Sequence, residues 1–96
     1  MKNFEIGDVV RSTDGRDRKR VFIVTDIDDS PKYCVAPVVI ADGSLRKISA
    51  RKHKNPAHLE YIASVTESEK EWLFSDLTDE KMLTICKIYD IGQERE

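Results

Sequence analysis

The sequence predicts a mainly β domain, a small barrel or sandwich of about five short strands, with a helical extension at its C-terminal end. Short apolar runs separated by turn residues fill the first 65 positions. From position 66 the pattern changes to helix caps followed by an apolar stripe with helical spacing. The length of 96 residues is typical of one folding unit. We therefore expect a barrel over residues 1–65 and an acidic helical extension over residues 66–96.

The first two predicted strands enclose a charged loop. The first strand spans Ile6–Ser12 and includes a Val-Val pair, which favours extended structure. The loop Thr13–Arg20 opens with an Asp-Gly turn signal, and five of its last six residues are charged. The second strand, Val21–Asp28, has apolar residues on both faces, as a central strand does. Alternation places Val21, Ile23 and Ile27 on one face, and Phe22 and Val24 on the other.

Turn signals separate the remaining strands, which are predicted at Tyr33–Ala41, Ser44–Ser49 and Leu59–Val65, with a basic loop over residues 50–58. Pro37 cannot donate a ladder hydrogen bond, so we expect a bulge or a free edge within the third strand. Asp42 and Gly43 both tolerate positive φ and suit a two-residue hairpin turn. These segments complete the predicted five strands.

Two helices follow the strands. Thr66 and Thr78 are candidate N-caps, and acidic residues stand in the first turn after each, where the helix dipole favours negative charge. Gly92 is placed to end the second helix. An apolar stripe along that helix is predicted to pack against the first helix or the sheet, and it consists of Met82, Ile85, Cys86 and Tyr89.

Charge is distributed unevenly along the chain. Residues 1–58 contain twelve Lys/Arg and eight Asp/Glu, whereas residues 59–96 contain four Lys/Arg and ten Asp/Glu. The segment Ala41–His58 has five Lys/Arg, two His and no acidic residue after Asp42. A partner senses the local field within about one Debye length, roughly 8–10 Å, so this asymmetry is more informative than the net charge of -2.

Two stretches resemble a known family. IGDVVRSTDGRDRKRVFIVTDID, residues 6–28, resembles the KOW motif, in which an apolar strand leads through a Gly-containing basic turn to a second apolar strand. VIADGSLRKISARKHKNPAHL, residues 39–59, is similar to the second half of bacterial KOW-domain RNA-binding proteins. These proteins are in turn similar to KOW-bearing large-subunit ribosomal proteins of archaea and eukaryotes. The motif commonly has a second glycine where this chain has Lys19.

The resemblance covers residues 4–62, and it implies an SH3-like barrel of about five strands. It also implies binding to structured ribosomal or related RNA, in a ribosome- or translation-associated role without catalysis. Phosphate contacts supply most of the sequence-independent affinity for RNA, and Arg can fork onto phosphate or stack on a base. The candidate RNA-binding residues are Arg16, Arg18, Lys19, Arg20, Arg46, Lys47, Arg51, Lys52, His53 and Lys54.

The alternatives are solvated loops with no ligand, or a protein-interaction adaptor that uses a barrel groove and the apolar tail helix. Trp72, Leu73 and Phe74 are consecutive, so they cannot all face one way on a helix. They either cover the open end of the barrel or leave one side chain exposed for a protein partner. The density of cations in the loops favours phosphate over a peptide, and the acidic helical tail is expected to point away from RNA.

Other chemistries find little support in the sequence. His53 and His58 are five positions apart, and the first is flanked by Lys52 and Lys54, which repel a metal cation. An acidic cluster at 26–29 is placed to cap a turn, and no nucleophile-and-base set or phosphate-binding loop is present, so no enzyme and no cofactor are expected. Cys34 and Cys86 are expected to be buried, reduced thiols. No apolar run suggests a membrane span or signal peptide, so we expect a cytoplasmic protein.

Overall fold

A computed structural model describes residues 4–93, with side chains described as far as Asp90. Five strands precede two α-helices, so the predicted mainly β domain with a helical C-terminal part is confirmed. The strands are β1 (Asp8–Ser12), β2 (Val21–Ile27), β3 (Val38–Ala41), β4 (Lys52–Lys54) and β5 (Leu59–Ser64), and the helices are α1 (Glu67–Ser75) and α2 (Asp79–Gln93). Two single 3₁₀ turns, at Ile48–Ala50 and Pro56–His58, flank β4.

The five strands form one antiparallel sheet in the order β4-β3-β2-β1-β5. Within the described residues β4 and β5 are its two edges, so the sheet is not closed into the barrel that the sequence predicts. The reason lies in the short fourth strand. β4 has only three residues, and Pro56, which has no N–H to donate, starts the 3₁₀ turn that leads directly into β5.

Two irregularities bend the sheet. The register of β1 against β5 shifts between Val9 and Val10, and the register of β2 against β3 shifts around Thr25. Extra residues of this kind bend and twist a strand. The shift at Thr25 also moves Ile27 to the other face, where it packs with Phe22 and Val24. The predicted alignment of Ile27 with Val21 and Ile23 is therefore wrong, because strict alternation does not continue through a bulge.

Each face of the sheet has its own apolar core. The helix-side core joins the sheet to both helices, and it consists of Val9, Val21, Ile23, Ala41, Val65, Leu73, Met82, Ile85 and Cys86. Among the residues whose side chains are described, the inner core contains none from α1 or α2, and it consists of Phe4, Val10, Phe22, Val24, Val38, Ile40 and Leu59. Because both sets are buried, β1 and β2 are covered on both faces, as predicted for the second strand.

The segment between β3 and β4 differs from the prediction. β3 starts only at Val38, directly after Pro37, whose carbonyl accepts a hydrogen bond from the Asp28 N–H at 2.9 Å. The predicted strand over 44–49 is absent, because the Asp42 carboxylate accepts hydrogen bonds from the backbone N–H groups of Ser44 and Arg46, both at 2.9 Å, and coils the chain. The fourth strand lies instead in the stretch expected to be a basic loop.

The helices follow their local signals closely. Thr66 and Glu69 form a reciprocal capping box at the start of α1, and the Thr78 hydroxyl accepts from the Lys81 N–H at 3.2 Å at the start of α2. The predicted apolar stripe of α2 packs into the helix-side core. α2 continues through Gly92, so the predicted helix end there is wrong. Neither helix, within the described residues, has the length and apolar character needed to cross a bilayer.

The two cysteines differ in environment. Cys86 is buried in the helix-side core, and burial raises the pKa of its thiol. Cys34 is exposed, so the prediction that it is buried is wrong. The physical reason is the late start of β3, which leaves Cys34 in the turn region before Pro37. Neither cysteine is in a disulfide.

Candidate nucleic-acid interface

The structure brings the two predicted basic segments together. We call residues 13–20 the basic loop, residues 46–54 the basic arm, and the two together the basic flank. The Lys54 ammonium donates to the Asp14 carbonyl at 3.1 Å and lies 3.4 Å from the Asp17 carboxylate. Arg46 Nε lies 3.4 Å from the other oxygen of Asp17. One loop therefore contacts both ends of the arm.

Asp17 is at the centre of this arrangement, and its side chain is 0% exposed. The tight turn that buries it is held by the Arg20 N–H, which donates to the Asp17 carbonyl at 3.1 Å. Burial alone would raise the pKa of the Asp17 carboxyl. A hydrogen bond from its own backbone N–H and the charges of Lys54 and Lys52 outweigh burial and hold that pKa below its usual range.

Lys19 has an unusual backbone conformation for its residue type. Its φ of 73° lies in the left-handed region, where a side chain costs about 1–2 kcal/mol and glycine is favoured. The conformation is held by two contacts. The Lys19 N–H donates to the Ser12 carbonyl at 2.7 Å, and Arg11 donates to the Lys19 carbonyl at 3.2 Å. These contacts fix the turn, and the turn fixes the direction in which the Lys19 side chain leaves the backbone.

A second buried carboxylate, Asp42, contacts the loop from the arm side. Its Oδ2 accepts from the Arg20 guanidinium at 3.0 Å, while its Oδ1 holds the turn described above. Gly43, with φ of 81°, packs so closely on α2 that a Cβ would collide with the Asp79 backbone. The Asp79 carboxylate in turn accepts from the Ile48 N–H at 2.7 Å. The first turn of α2 therefore borders the basic arm.

The ten predicted RNA-binding residues divide into two sets. The first set is engaged internally, and it consists of Arg20, Arg46, Arg51, His53 and Lys54. Lys54 is buried, and its ammonium is held by Asp14 and Asp17. The second set makes no side-chain hydrogen bond or ion pair within the described residues and is exposed, apart from the half-buried Lys52; it consists of Arg16, Arg18, Lys19, Lys47 and Lys52. The cations of this second set are therefore not engaged by other described side chains.

Several residues of the site were not among those predicted. Asp17 and Asp42 hold the flank together, and the signal for Asp17 was its position as a single acid within Arg-Asp-Arg. A groove of about 160 Å³ lies between the basic loop and α2, with Lys19 and Arg20 on one side and Lys87 and Asp90 on the other. Nothing in the local sequence of α2 indicates that Lys87 lies beside the basic loop.

The histidines pair with carboxylates on the surface. His53 lies 3.4 Å from Asp28, and His58 lies 3.2 Å from Asp14. Asp28 also accepts from the Ser30 N–H at 3.1 Å, so the acidic cluster caps a turn as predicted. In the part of the chain that the structure describes, no group of three or more His, Cys, Asp or Glu side chains is arranged to hold a metal ion.

Exposed aromatic side chains lie outside the flank. Trp72 on α1 is 44% exposed while its neighbour Leu73 is buried, which confirms that the three consecutive apolar residues do not face one way. Lys81 covers the Trp72 ring at 5.3 Å. Tyr61 is exposed on β5, and Tyr33 in the turn before β3. These rings are on three separate elements of the chain.

No protein-family model matches the chain, and no curated protein matches it. A small β domain can support many unrelated functions, because function depends on the site and not on the fold. The chemistry of the basic flank is therefore the basis for a functional conclusion.

Proposed function

We propose that the protein is a non-catalytic RNA-binding protein of the cytoplasm, associated with ribosomes or translation, that docks on structured RNA through the basic flank. The observation that supports this proposal best is the joining of the basic loop and basic arm around Asp17. The contact places two clusters of cations on one side of a chain whose net charge is -2.

The local charge suits a polyanion. The flank contains nine Lys/Arg and only two Asp. Asp17 is buried together with Lys54, so eight Lys/Arg and one Asp of the flank lie outside this buried pair. Each phosphate that such a surface neutralises releases condensed counterions, which gives affinity without base recognition.

We further propose that the bent sheet is an SH3-like barrel of the KOW type that is open between its edge strands. Four features support this. β1 and β2 pair across the basic loop with Val10 opposite Phe22, β5 returns to pair with β1, and the sheet encloses its own inner core. Lys19 also has the positive φ that a glycine favours, at the position where the motif commonly has its second glycine.

The experiment is a titration of the protein with structured RNA over a range of salt concentrations. Arg18→Gln with Lys47→Gln removes two exposed, unpaired cations of the flank. We expect this double variant to bind more weakly at low salt, and the slope of log affinity against log salt to fall by about two, since each phosphate-contacting cation contributes about one.

The matched control is Lys70→Gln with Lys81→Gln, which removes two positive charges from the helical part of the chain. We expect this control to keep most of the affinity and the wild-type salt slope. Equal losses in the two double variants would contradict the placement of the site, and no binding by the wild-type protein would contradict RNA binding itself. Crosslinking in cells followed by sequencing of the attached RNA would then identify the ligand.

The adaptor alternative is less well supported by the arrangement of side chains. A peptide groove needs clustered exposed aromatic residues, whereas Tyr33, Tyr61 and Trp72 are on separate elements. A protein partner that contacts Trp72 remains compatible with RNA binding, because α1 is a different part of the surface from the flank.

A further inference from the structure

We propose that Asp17 is a positioning residue that makes the basic flank prefer folded RNA to flexible single strands. The inference rests on the proposed function, because it concerns the same surface. A carboxylate repels RNA, yet in this proposal the carboxylate of Asp17 is needed for binding RNA.

The role of Asp17 follows from its contacts. Its two carboxylate oxygens reach different ends of the arm, one 3.4 Å from Arg46 Nε and the other 3.4 Å from Lys54 Nζ. Its side chain is completely buried, and a lowered pKa keeps it ionised at neutral pH. No phosphate can reach it, so its direct repulsion of RNA acts only over a distance and behind its paired cations.

We call the contacts of Asp17 with Arg46 and Lys54 the Asp17 clamp, and three exposed cations are adjacent to it in the sequence. Arg16 and Arg18 are the sequence neighbours of Asp17, and Lys47 is the neighbour of Arg46. None of the three has a side-chain partner within the described residues, and the contacts of Asp17 join the two segments that carry them. Arg20 and Asp42 make a second link at 3.0 Å, and Asp42 also accepts from the Arg46 N–H, so this link reaches the first residue of the arm but not Lys54.

Fixed spacing favours a ligand with fixed phosphates. A folded RNA presents a rigid array of phosphates and is recognised largely by shape, whereas a single strand can adapt its backbone to many arrangements of cations. A surface that is ordered before binding avoids the entropic cost of ordering in the complex. Loosening the flank should therefore weaken binding to folded RNA more than binding to a single strand.

The experiment compares Asp17→Asn with Asp14→Asn. Both changes remove one negative charge from the same loop, but the Asp14 side chain is exposed and pairs with His58, and its backbone carbonyl still accepts from Lys54. The probes are an RNA hairpin with a stem of about 16 base pairs, a length that spans two successive minor grooves, and a polyuridine strand of equal nucleotide count.

We expect opposite effects from the two variants. Asp14→Asn should bind both probes slightly more tightly than the wild-type protein, because a repulsive charge is gone. Asp17→Asn should bind the hairpin about tenfold more weakly than Asp14→Asn, while the two variants bind polyuridine alike. A residue that only stabilises the fold would not change the ratio of the two affinities in protein that remains folded.

A second variant covers the case in which Asp17→Asn does not fold, as judged by its thermal unfolding curve. Asp17→Asn combined with Lys54→Met removes the buried charges as a pair, which proteins often tolerate, and it still removes the ion pair of position 17 with Arg46. The same loss of hairpin preference is expected. If Asp17→Asn, or this double variant in its place, prefers the hairpin as strongly as Asp14→Asn does, the inference about Asp17 is wrong but the proposed function is unaffected. If the wild-type protein binds neither RNA, both the inference and the proposed function are wrong.

Discussion

The helix-side core and the basic flank are held together by different interactions. In the helix-side core the buried groups are apolar, and Leu73 of α1 and Met82 of α2 are fully buried against the sheet. In the basic flank the buried groups are charged, with Asp17 completely and Lys54 almost completely removed from solvent. Apolar burial gives stability in proportion to area, whereas a buried ion pair often contributes little net stability compared with apolar residues of similar volume.

The position of polar contacts differs in the same way. In the helical part they lie at the margins, where Thr66 and Glu69 cap α1 and the Tyr89 hydroxyl donates to Glu69 at 2.7 Å. In the flank the polar contacts between Asp17 and Lys54 are themselves buried. We infer that the helix-side core supplies most of the stability of the domain. The flank adds less stability and presents cations at defined positions.

The largest expected effect comes from the helix-side core. Leu73→Ala leaves a cavity among fully buried neighbours, and we expect it to lower the free energy of unfolding by about 2–5 kcal/mol in a urea titration. RNA affinity, measured where the variant is still folded, should stay close to the wild-type value. A parallel fall in affinity would break the comparison, because it would show that the flank depends on α1 packing, for example through the contact of Asp79 with Ile48.

The helical part was also the part best predicted from the sequence. Thr66 and Thr78 are local signals, and their bonds span only three residues, to Glu69 and Lys81. The stripe of α2 follows the helical period and needs no knowledge of its partner. β1, β2 and β5 were found for the same reason, since alternation and turn residues are local properties.

The flank was predicted only in outline. Its cations follow from composition, whereas no local pattern fixes the adjacency of its two segments. The contact of Asp17 with Lys54 joins positions 37 apart, and a single acid among cations has no periodicity that reveals its burial. The same limit applies to β4, because a Lys-His-Lys strand lacks the apolar alternation by which strands are recognised.

A smaller change in the free energy of unfolding is expected when the pH is lowered, and it comes from Asp17 in the flank. The folded protein holds the pKa of Asp17 below its ordinary value of 3.8. The resulting stabilisation is fully present above that value and is lost as the pH falls below 3.8 through the lower folded value. The difference in unfolding free energy between the wild-type protein and Asp17→Asn should therefore be constant near neutral pH and shrink below 3.8. Asp14→Asn is the control for losing a negative charge from the loop.

The alternative outcome is a difference in unfolding free energy between the wild-type protein and Asp17→Asn that stays constant down to the lowest pH at which the wild-type protein folds. That result would identify a different source of the stabilisation by Asp17. It would mean that Asp17 acts through its hydrogen bonds to Arg46 and Lys54, which an asparagine oxygen keeps only in part, and not through its charge.

The smallest effect is expected at the margin of the helical part. Tyr89→Phe removes the hydrogen bond to Glu69, and we expect a loss of about 0.5–1.5 kcal/mol at neutral pH. Burial, together with the hydrogen bond and charge of Glu69, raises the pKa of Tyr89 from 10.0 to about 12. The folded protein thus favours the neutral phenol, so this stabilisation is complete below pH 10 and disappears as the pH rises through 12. Urea unfolding of both proteins at neutral pH and above pH 10 measures the change.

Tyr61→Phe is the matched control, because its hydroxyl bonds Ser64 on the exposed surface of β5 and should contribute less than that of Tyr89. If Tyr89→Phe costs as much as Leu73→Ala, a polar contact holds α1 to α2, and the contrast between an apolar helix-side core and a charged flank no longer describes the molecule. If its effect stays below about 1.5 kcal/mol and vanishes at high pH, polar contacts in the helical part orient elements that apolar packing already holds together. The buried contacts of Asp17, by contrast, join two segments that apolar packing does not hold together.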